Sequence, residues 1–470
     1  MDWHAQQTPD KPAIIFEGRT LSWGELASQV ERASRYFIAN LESSDQQVVD
    51  ILLTNSPEFI IAYLAILRAG HIAMPLDPAY KQLELEAIIK QIPPKLIITD
   101  ERYRDQITSP KAKVVMYDQL LAHAEQAGAA LRLPADQQIA SLTFTSGTTG
   151  KPKAVPNTHA NHLWNIKVCS EVWQWTASDT MLLTLPLSHW YGLVMGLAGA
   201  LYHGNTIYLR QQSFNAEEII EELLSGRISL FTHIPLAYMK ILELKGQHRD
   251  LSGVRLLISG GGPLPPAASA EFKKRYGVRI IETYGSSETG RIAANRLNER
   301  LSGTPGRLLP GVKLRLNADG ELTIKSPGIF PGYYNNPQAT RANYSQDGWW
   351  NTGDLGELKD GHVFLKGRKQ ERIRKFGQTI SPRDVEWAMY KNPKIKAIYV
   401  MGRQTPGQPN DELIYFVVGD ISQQEIRDYC KTDLMYAWRP DKIINLKSLP
   451  RTSMGKTKIS KLRELAEASA

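Results

Sequence analysis

The stretch TSGTTGKPK, from Thr145 to Lys153, concentrates hydroxyl groups, glycines and two lysines in one loop that follows an apolar segment. Such a loop offers backbone N–H groups, hydroxyls and positive charge to an anion, and phosphate is the usual occupant. It is not a Walker A motif, because that pattern has four residues between its first glycine and its Gly-Lys pair, whereas only two separate Gly147 from Gly150. The spacing predicts a phosphate-binding loop and leaves a hydroxyl-rich surface turn open as the alternative.

Four further motifs follow this loop along the chain. They are YGSSETG at 284–290, WWNTGDLG at 349–356, GRKQERIRKFGQTISPRDVE at 367–386 and PRTSMGKTKISKLRE at 450–464. Together with the loop, and in this order, they resemble the adenylate-forming superfamily, which includes acyl- and aryl-CoA synthetases, adenylation domains of peptide synthetases and luciferases. The resemblance extends over nearly the whole chain, beginning with LSWGEL at 21–26.

The resemblance implies that a carboxylate attacks the α-phosphate of ATP, that pyrophosphate leaves, and that the acyl group then passes to a thiol. Because one anion attacks another, catalysis requires positive charge and hydrogen-bond donors where negative charge develops. Lys456 is implied to reach the carboxylate and the bridging phosphate oxygen in the adenylating conformation; the alternative is a solvated lysine in a basic tail. The residues implied to hold the β- and γ-phosphates are Thr145, Ser146, Gly147, Thr148, Thr149 and Lys151, assisted by Lys153.

Other motif residues are implied to bind magnesium and the nucleoside. Glu288 resembles the family's magnesium ligand, and Mg²⁺ favours carboxylate and phosphate oxygens together; the alternative is a solvated carboxylate at a helix cap. Asp354 is implied to bind both ribose hydroxyls, with Arg368 assisting. The other residues assigned to the nucleotide are Gly261, Gly262, Tyr284 and Ser287, of which the glycines let a flat base approach the backbone.

The segment LPLSHWYGL at 185–193 resembles the version of its motif found in acyl- and aryl-CoA ligases. Enzymes that activate amino acids carry an Asp there, so we expect an acid without an α-amino group. His189 is implied to be a catalytic gating side chain, although a histidine in such a sequence could be an ordinary buried one. The candidates for the acid pocket are His189, Trp190, Tyr191, His233 and Gly260, and they favour an aromatic or short- to medium-chain acid.

The acyl acceptor and the mobile part of the chain are also implied by the resemblance. CoA is the expected thiol, and the phosphopantetheine arm of an acyl carrier protein is the alternative. After adenylation the C-terminal domain is implied to rotate about Gln370, where Asp or Lys is more usual, and to bring Gly377 beside the pantetheine arm. A luciferase-like oxygenase is the more distant alternative.

The elements that must position these residues are predicted to form an α/β fold. Strand-like and helix-like stretches alternate, Ser22 with Glu25 forms a capping box, and Gly260–Gly262 follows a strand. After Gly311 two Asp-Gly turns predict β-hairpins. We predict a large N-terminal domain at 1–369, made of layered α/β subdomains and a small β-barrel-like subdomain, and a small mobile α+β C-terminal domain at 370–470.

Composition limits the remaining function classes. The 470 residues carry a net charge of +8 without a run of five or six like charges, so nucleic acid is not expected as a partner. The segment 180–209 lacks charged residues, but its prolines and glycines predict buried core rather than a membrane span. Two cysteines and no visible signal peptide favour a cytoplasmic protein.

Overall fold

A computed structural model defines the positions of most of the chain. The residues that it describes are 1–41, 45–108, 112–122, 135–145, 152–211, 214–244, 249–299, 301–404, 407–452 and 455–468. The architecture is mixed α/β, as predicted, with a large N-terminal part and a small C-terminal part.

The first part of the chain builds a six-stranded sheet. Its elements are α1 (Asp2–Gln7), β1 (Pro12–Phe16), β2 (Arg19–Ser22), α2 (Trp23–Asn40), β3 (Val48–Leu52), α3 (Pro57–Arg68), β4 (Ile72–Pro75), α4 (Gln82–Gln91), β5 (Leu96–Thr99), β6 (Lys113–Met116), α5 (Tyr117–Ala122), β7 (Ile139–Thr145) and β8 (Lys153–Thr158). The strand order is β6-β5-β3-β4-β7-β8, and only the β7–β8 pair at the edge is antiparallel. The predicted phosphate loop therefore connects the two strands of an edge hairpin.

The predicted capping box at the start of α2 is confirmed. The Ser22 hydroxyl accepts a hydrogen bond from the Glu25 backbone N–H, and the Glu25 carboxylate accepts one from the Ser22 N–H. Leu26, Val30, Ala33 and Phe37 form one stripe along α2 and are fully buried.

A second sheet begins with β1 and β2 and continues through the middle of the chain. Its elements are α6 (His159–Trp173), β9 (Thr180–Leu183), α7 (Gly199–His203), β10 (Thr206–Leu209), α8 (Ala216–Leu224), β11 (Leu230–His233), α9 (Pro235–Glu243), β12 (Leu256–Ser259), α10 (Pro266–Tyr276) and β13 (Ile280–Ser286), with a π-helical turn at Tyr191–Ala198. The strands β1, β10, β9, β11, β12 and β13 are parallel neighbours in that order. The loops that follow β11, β12 and β13 therefore all lie beyond the carboxyl ends of the strands, where α/β proteins bind ligands.

Antiparallel strands extend this sheet beyond β13. They are β14 (Gly290–Ala294), β15 (Arg307–Leu308), β16 (Lys313–Leu316), β17 (Glu321–Lys325), β18 (Trp350–Lys359) and β19 (His362–Arg368), with helix α11 (Pro337–Asn343) before β18. The two predicted Asp-Gly hairpins are the antiparallel pairs β16–β17 and β18–β19. The strands of the predicted β-barrel-like subdomain are thus continuous with the central sheet, in the order β16-β17-β18-β19-β15-β14-β13.

The C-terminal part has a hydrophobic core of its own, which begins at Ile373. Its elements are β20 (Ile373–Lys375), β21 (Gln378–Ile380), α12 (Pro382–Met389), β22 (Ile395–Arg403), β23 (Glu412–Gly419), α13 (Gln423–Asp433), β24 (Lys442–Asn445) and α14 (Ile459–Ala468). Gln370 lies in a short 3₁₀ turn, Lys369–Glu371, between β19 and β20. The separate core supports the predicted domain boundary at Gln370, which we retain as a proposal.

The uncharged segment 180–209 contributes strands β9 and β10 and buried residues such as Met181 and Leu193. Among the described residues, every helix is too short or too polar to cross a bilayer.

Candidate active site

A partly buried carboxylate links the antiparallel strands to the central sheet. Asp354 on β18 pairs across the ladder with Arg368 on β19, whose Nε lies 2.8 Å from Asp354 Oδ1. The Tyr284 hydroxyl, near the end of β13, donates to Asp354 Oδ2 at 2.6 Å. Burial raises the pKa of Asp354, and the nearby Arg368 guanidinium opposes that rise. The three residues assigned to the nucleoside from the sequence are therefore one hydrogen-bonded group.

Glycines keep the adjacent strand ends open. The Gly260 N–H donates to the carbonyl of His233, and a Cβ at Gly260 would lie only 2.9 Å from the Tyr191 hydroxyl oxygen. Gly261 has a φ of +80°, which favours glycine. A Cβ at Gly262 would meet Pro235 at an ordinary 3.8 Å. Position 260 therefore requires glycine because the Tyr191 hydroxyl lies so close, and position 261 favours glycine because of its backbone conformation. Neither reason applies at position 262.

Glu288 lies in the turn between β13 and β14, and not at a helix cap. The Tyr333 hydroxyl donates to Glu288 Oε1 at 3.1 Å, and the Thr145 hydroxyl oxygen lies 3.5 Å from the same atom. Lys153 Nζ lies 5.0 Å above the centre of the Tyr333 ring. Thr145 and Lys153 are the two ends of the predicted phosphate loop, so the structure brings Glu288 beside it. Ser287 immediately precedes Glu288 in the same turn.

Five residues of the phosphate loop, Ser146, Gly147, Thr148, Thr149 and Lys151, lie outside the described residues. Tyr333 is a site residue that sequence reasoning missed. The sequence signal is a PGYYNNP loop with two neighbouring tyrosines, but nothing in it indicates contact with Glu288 across 45 positions. The single carboxylate beside a phosphate loop fits Mg²⁺, which usually combines one or two carboxylates with substrate phosphates.

Lys456 lies in the cleft between the two parts of the chain. Its side chain remains accessible to solvent, while enclosure by the surrounding protein lowers its pKa. The positive charge of Arg368 lowers this pKa further, whereas the carboxylates of Glu288 and Asp354 raise it. The ammonium is accessible and interacts electrostatically with both carboxylates, so it can contact a ligand that binds between them. Lys456 thus lies close to Glu288 and Asp354, and its implied contact with the reacting carboxylate stays a prediction.

Backbone geometry at Gly455 sets the position of Lys456. Gly455 has a φ of +68°, and a Cβ there would lie 2.6 Å from Ile234 Cδ1 and 3.0 Å from Leu236 Cδ2. The Lys456 carbonyl accepts a hydrogen bond from the Thr452 N–H at 2.8 Å. The loop that carries Lys456, here called the lysine loop, therefore packs against Ile234, between β11 and α9, and against Leu236 at the start of α9.

The predicted acid pocket contains a histidine–aspartate pair. His189 Nε2 lies 3.1 Å from Asp77 Oδ2, and the Asp77 side chain is 1% exposed. The other Asp77 oxygen accepts from the Ala79 N–H at 2.9 Å. Asp77 was missed as a site residue, although it belongs to the LDP sequence at 76–78.

Polar atoms of the remaining pocket candidates have defined partners. The Trp190 indole donates to Asn157 Oδ1 at 3.1 Å, and the Thr232 hydroxyl donates to the Tyr191 hydroxyl oxygen at 2.6 Å. Burial lowers the pKa of His233 to about 3, and its Nδ1 accepts from the Ile234 N–H. His233 is therefore a neutral imidazole with its proton on Nε2.

Gly377 is the predicted site residue that the structure does not bring to this cleft. It lies at the tip of the β20–β21 hairpin with a φ of +71°, and no atom lies within 4 Å of the position that a Cβ would occupy. Its neighbour Phe376 is 50% exposed. The assignment of Gly377 to the pantetheine arm therefore stays a prediction.

Family models cover both parts of the chain. Residues 1–334 match the model described as AMP-binding enzyme, and residues 384–456 match the model described as AMP-binding enzyme C-terminal domain. The chain belongs to the AMP-binding enzyme family. Within the adenylate-forming superfamily it falls in the acyl- and aryl-CoA synthetase branch, so it is an AMP-forming acid–thiol ligase that uses ATP, Mg²⁺ and CoA.

Two relatives illustrate the extent of the similarity. An indoleacetate–CoA ligase of Aromatoleum aromaticum is 30% identical to this AMP-binding enzyme over 505 residues, covering 99% of this chain and 97% of the relative. A 2-succinylbenzoate–CoA ligase of Listeria monocytogenes is 27% identical over 467 residues, covering 97% of each.

Two solved structures of one protein differ in their similarity to this chain. ATP-bound MatB of Rhodopseudomonas palustris superposes on this AMP-binding enzyme with a TM-score of 0.91, at 26% identity, covering 98% of this chain and 97% of MatB. The apo form of the same protein gives a TM-score of 0.77 at the same coverage. The present structure is therefore more similar to the ATP-bound form of MatB than to its apo form.

Proposed function

We propose that this acid–CoA ligase activates an aromatic or short- to medium-chain carboxylic acid without an α-amino group. The observation that carries the proposal is the placement of Lys456 beside Glu288 and Asp354, next to a pocket with aromatic walls. Asp77 is the carboxylate at that pocket, and its contacts with His189 and Ala79 make it a poor partner for an ammonium group. The names of four relatives agree with this range, because indoleacetate and 2-succinylbenzoate are aromatic and malonate and oxalate are short.

In the first half-reaction the acid's carboxylate attacks the α-phosphorus of ATP, and the bond to the bridging oxygen breaks to release pyrophosphate. Lys456 neutralises charge at the carboxylate and the bridging oxygen as the new bond forms. Asp354 and Arg368 hold the ribose, and Thr145 with Lys153 lies beside the departing phosphates. Magnesium held by Glu288 and the phosphates would offset their negative charge.

In the second half-reaction the thiol of CoA attacks the acyl carbon and AMP leaves. The C-terminal domain turns about Gln370 and brings the Gly377 hairpin over the site. A pantetheine arm on an acidic carrier protein is the competing acceptor, and the positive net charge of +8 would suit it. The two buried free thiols, Cys169 and Cys430, are compatible with a cytoplasmic location.

A panel of carboxylic acids in the ATP–pyrophosphate exchange assay tests the proposal, with Lys456→Ala beside wild type. Loss of the ammonium should reduce exchange roughly 100- to 1,000-fold, as expected for removal of one group that stabilises developing charge. Thioester formation from a pre-made acyl-adenylate should be spared.

The matched control is Lys458→Ala, which removes an exposed lysine two positions away. Equal loss of exchange in both variants would refute the assignment of Lys456. Exchange with amino acids alone would refute the proposed substrate class, and thioester formed only on a carrier protein would exclude CoA as the acceptor.

A further inference from the structure

Arg291 is a buried cation beside the predicted acid pocket. It is the second residue of β14 and is 2% exposed. Its guanidinium carbon lies 4.2 Å from the centre of the Tyr191 ring and 5.4 Å from that of Trp190. Its backbone N–H donates to Asn165 Oδ1 at 2.7 Å, which fixes the strand at this point. The side chain therefore lies against two of the residues assigned to the pocket from the sequence.

Among the residues that the structure describes, the side chains in contact with this guanidinium are neutral. It hydrogen-bonds to the Tyr191 phenol and lies on two aromatic faces. Within the described part of the chain, Arg291 forms no ion pair with a carboxylate, and its buried Nε has no hydrogen-bond partner. Buried charges are normally paired, because removing a cation from water is unfavourable without a compensating anion. Arg291 thus leaves positive charge in the pocket uncompensated.

A second cation adds to this excess. Arg291 is near enough to Lys456 for its charge to lower the pKa of that lysine. Arg368 is already paired with Asp354, so Arg291 and Lys456, which is assigned to the reacting carboxylate, are two cations that can act on a ligand. A monocarboxylic acid can neutralise one of them, whereas an acid with two anionic groups can neutralise both.

We propose that Arg291 binds a second carboxylate of the substrate, so that this ligase activates a dicarboxylic acid. This rests on the proposed function, because it assumes that the acid lies between Lys456 and the aromatic walls. The planar guanidinium matches a carboxylate with two parallel hydrogen bonds, and the free Nε provides one of the donors. The Tyr191 and Trp190 rings then hold the guanidinium in plane beneath the ligand.

The test compares matched acids that differ by one carboxylate, in the ATP–pyrophosphate exchange assay. The pairs are malonate with propionate, glutarate with valerate, and isophthalate with 3-methylbenzoate. Wild type should prefer the dicarboxylic member of at least one pair. Arg291→Met keeps a similar length without charge, and it should lower kcat/KM for that member roughly 30-fold or more while sparing or improving the monocarboxylic partner.

Arg291→Lys should retain part of the preference, because it keeps the charge but not the planar fork. The matched control is Arg315→Met, since Arg315 also lies on an aromatic ring, Trp349 at 4.5 Å, but outside the site. The control should leave the preference for dicarboxylic acids unchanged.

Several outcomes would overturn the assignment of Arg291. If the wild type prefers the monocarboxylic acid of every pair, the assignment of Arg291 is wrong, but the proposed function stands. Equal loss of both members in Arg291→Met would show that Arg291 acts on the reacting carboxylate or on the fold. Absence of exchange with every acid would refute the proposed function together with this inference.

A binding measurement on wild type keeps the inference testable if Arg291→Met fails to fold. Acylsulfamoyl adenosines mimic the acyl-adenylate without reacting, and calorimetry compares a pair that differs only in the distal carboxylate. The dicarboxylic analogue should bind more tightly, and weaker binding than the monocarboxylic analogue would overturn the assignment.

Discussion

At the scale of single residues, the site combines groups whose charges oppose one another. Glu288 and Asp354 raise the pKa of Lys456, whereas Arg368 and Arg291 lower it. The lysine is accessible and the carboxylates are largely enclosed, so the ammonium is the group most able to move to a ligand. Charge neutralisation is thus prepared before any substrate binds, as electrostatic catalysis requires.

The Tyr333 hydroxyl lies closer to the Glu288 carboxylate than the Thr145 hydroxyl does, at 3.1 Å against 3.5 Å. Tyr333→Phe keeps the ring beneath Lys153 but removes the hydrogen bond. A hydrogen bond to a charged group is worth about 1.5–3 kcal/mol, so kcat/KM for MgATP should fall roughly 10-fold or more. Steady-state exchange kinetics measure this effect, with Tyr334→Phe as the control. An unchanged value would show that Tyr333 does not orient Glu288.

At the scale of elements, strand β13 and helix α12 approach each other across the domain boundary. Glu282 on β13 is buried, its Oε1 accepts from the Gly303 N–H at 3.1 Å, and the Arg383 charge on α12 favours its ionised form. Burial nevertheless raises the pKa of Glu282 to about 7. Burial also lowers the pKa of Arg383 to about 10. Glu282 and Arg383 are therefore two ionisable groups, both partly removed from water, whose charges interact across the domain boundary.

The raised pKa of Glu282 predicts that the stability of the protein depends on pH. Between about pH 4.5 and 7, folded Glu282 retains a proton that the unfolded chain has released, so its contribution to the free energy of unfolding falls as pH rises. Glu282→Gln cannot ionise, and its stability relative to wild type should increase across this window by up to about 3 kcal/mol. Urea unfolding at several pH values measures the difference. A constant difference from pH 4.5 to 7.5 would refute the raised pKa.

At the scale of the whole molecule, the small domain presents two different surfaces to the reaction. The lysine loop packs against Ile234 and Leu236 at the cleft, while the tip of the β20–β21 hairpin at Gly377 has open space around it. In the proposed function, the two half-reactions use different placements of this domain. The structure is more similar to ATP-bound MatB than to apo MatB, with TM-scores of 0.91 and 0.77.

Gly377→Trp tests the proposed rotation, because the Gly377 hairpin is expected over the site only in the second half-reaction. A large side chain at the open hairpin tip should leave ATP–pyrophosphate exchange near the wild-type rate. It should slow thioester formation about 100-fold, the scale of effect expected when a reacting group is misplaced by about 1 Å. Gly407→Trp is the matched control, because Gly407 also has a positive φ and open surroundings. Thioester formation at the normal rate in Gly377→Trp would remove this hairpin from the CoA path.

Local sequence signals accounted for much of the fold. The capping box of Ser22 and the two Asp-Gly hairpins depend on hydrogen bonds between residues a few positions apart, so the sequence predicts them directly. The ordered motifs likewise determined the family, because each motif carries its residue types within a short stretch.

Only the tertiary structure revealed which groups meet across the site. Asp77 and His189 are separated by 112 positions, and no local pattern indicates their contact. Arg291 has no motif role in the sequence, and it becomes a candidate for substrate binding only when β14 places it against Tyr191 and Trp190. Contacts of this kind depend on how sheets and domains pack, which is set by the burial of many distant side chains together and not by the properties of any one segment.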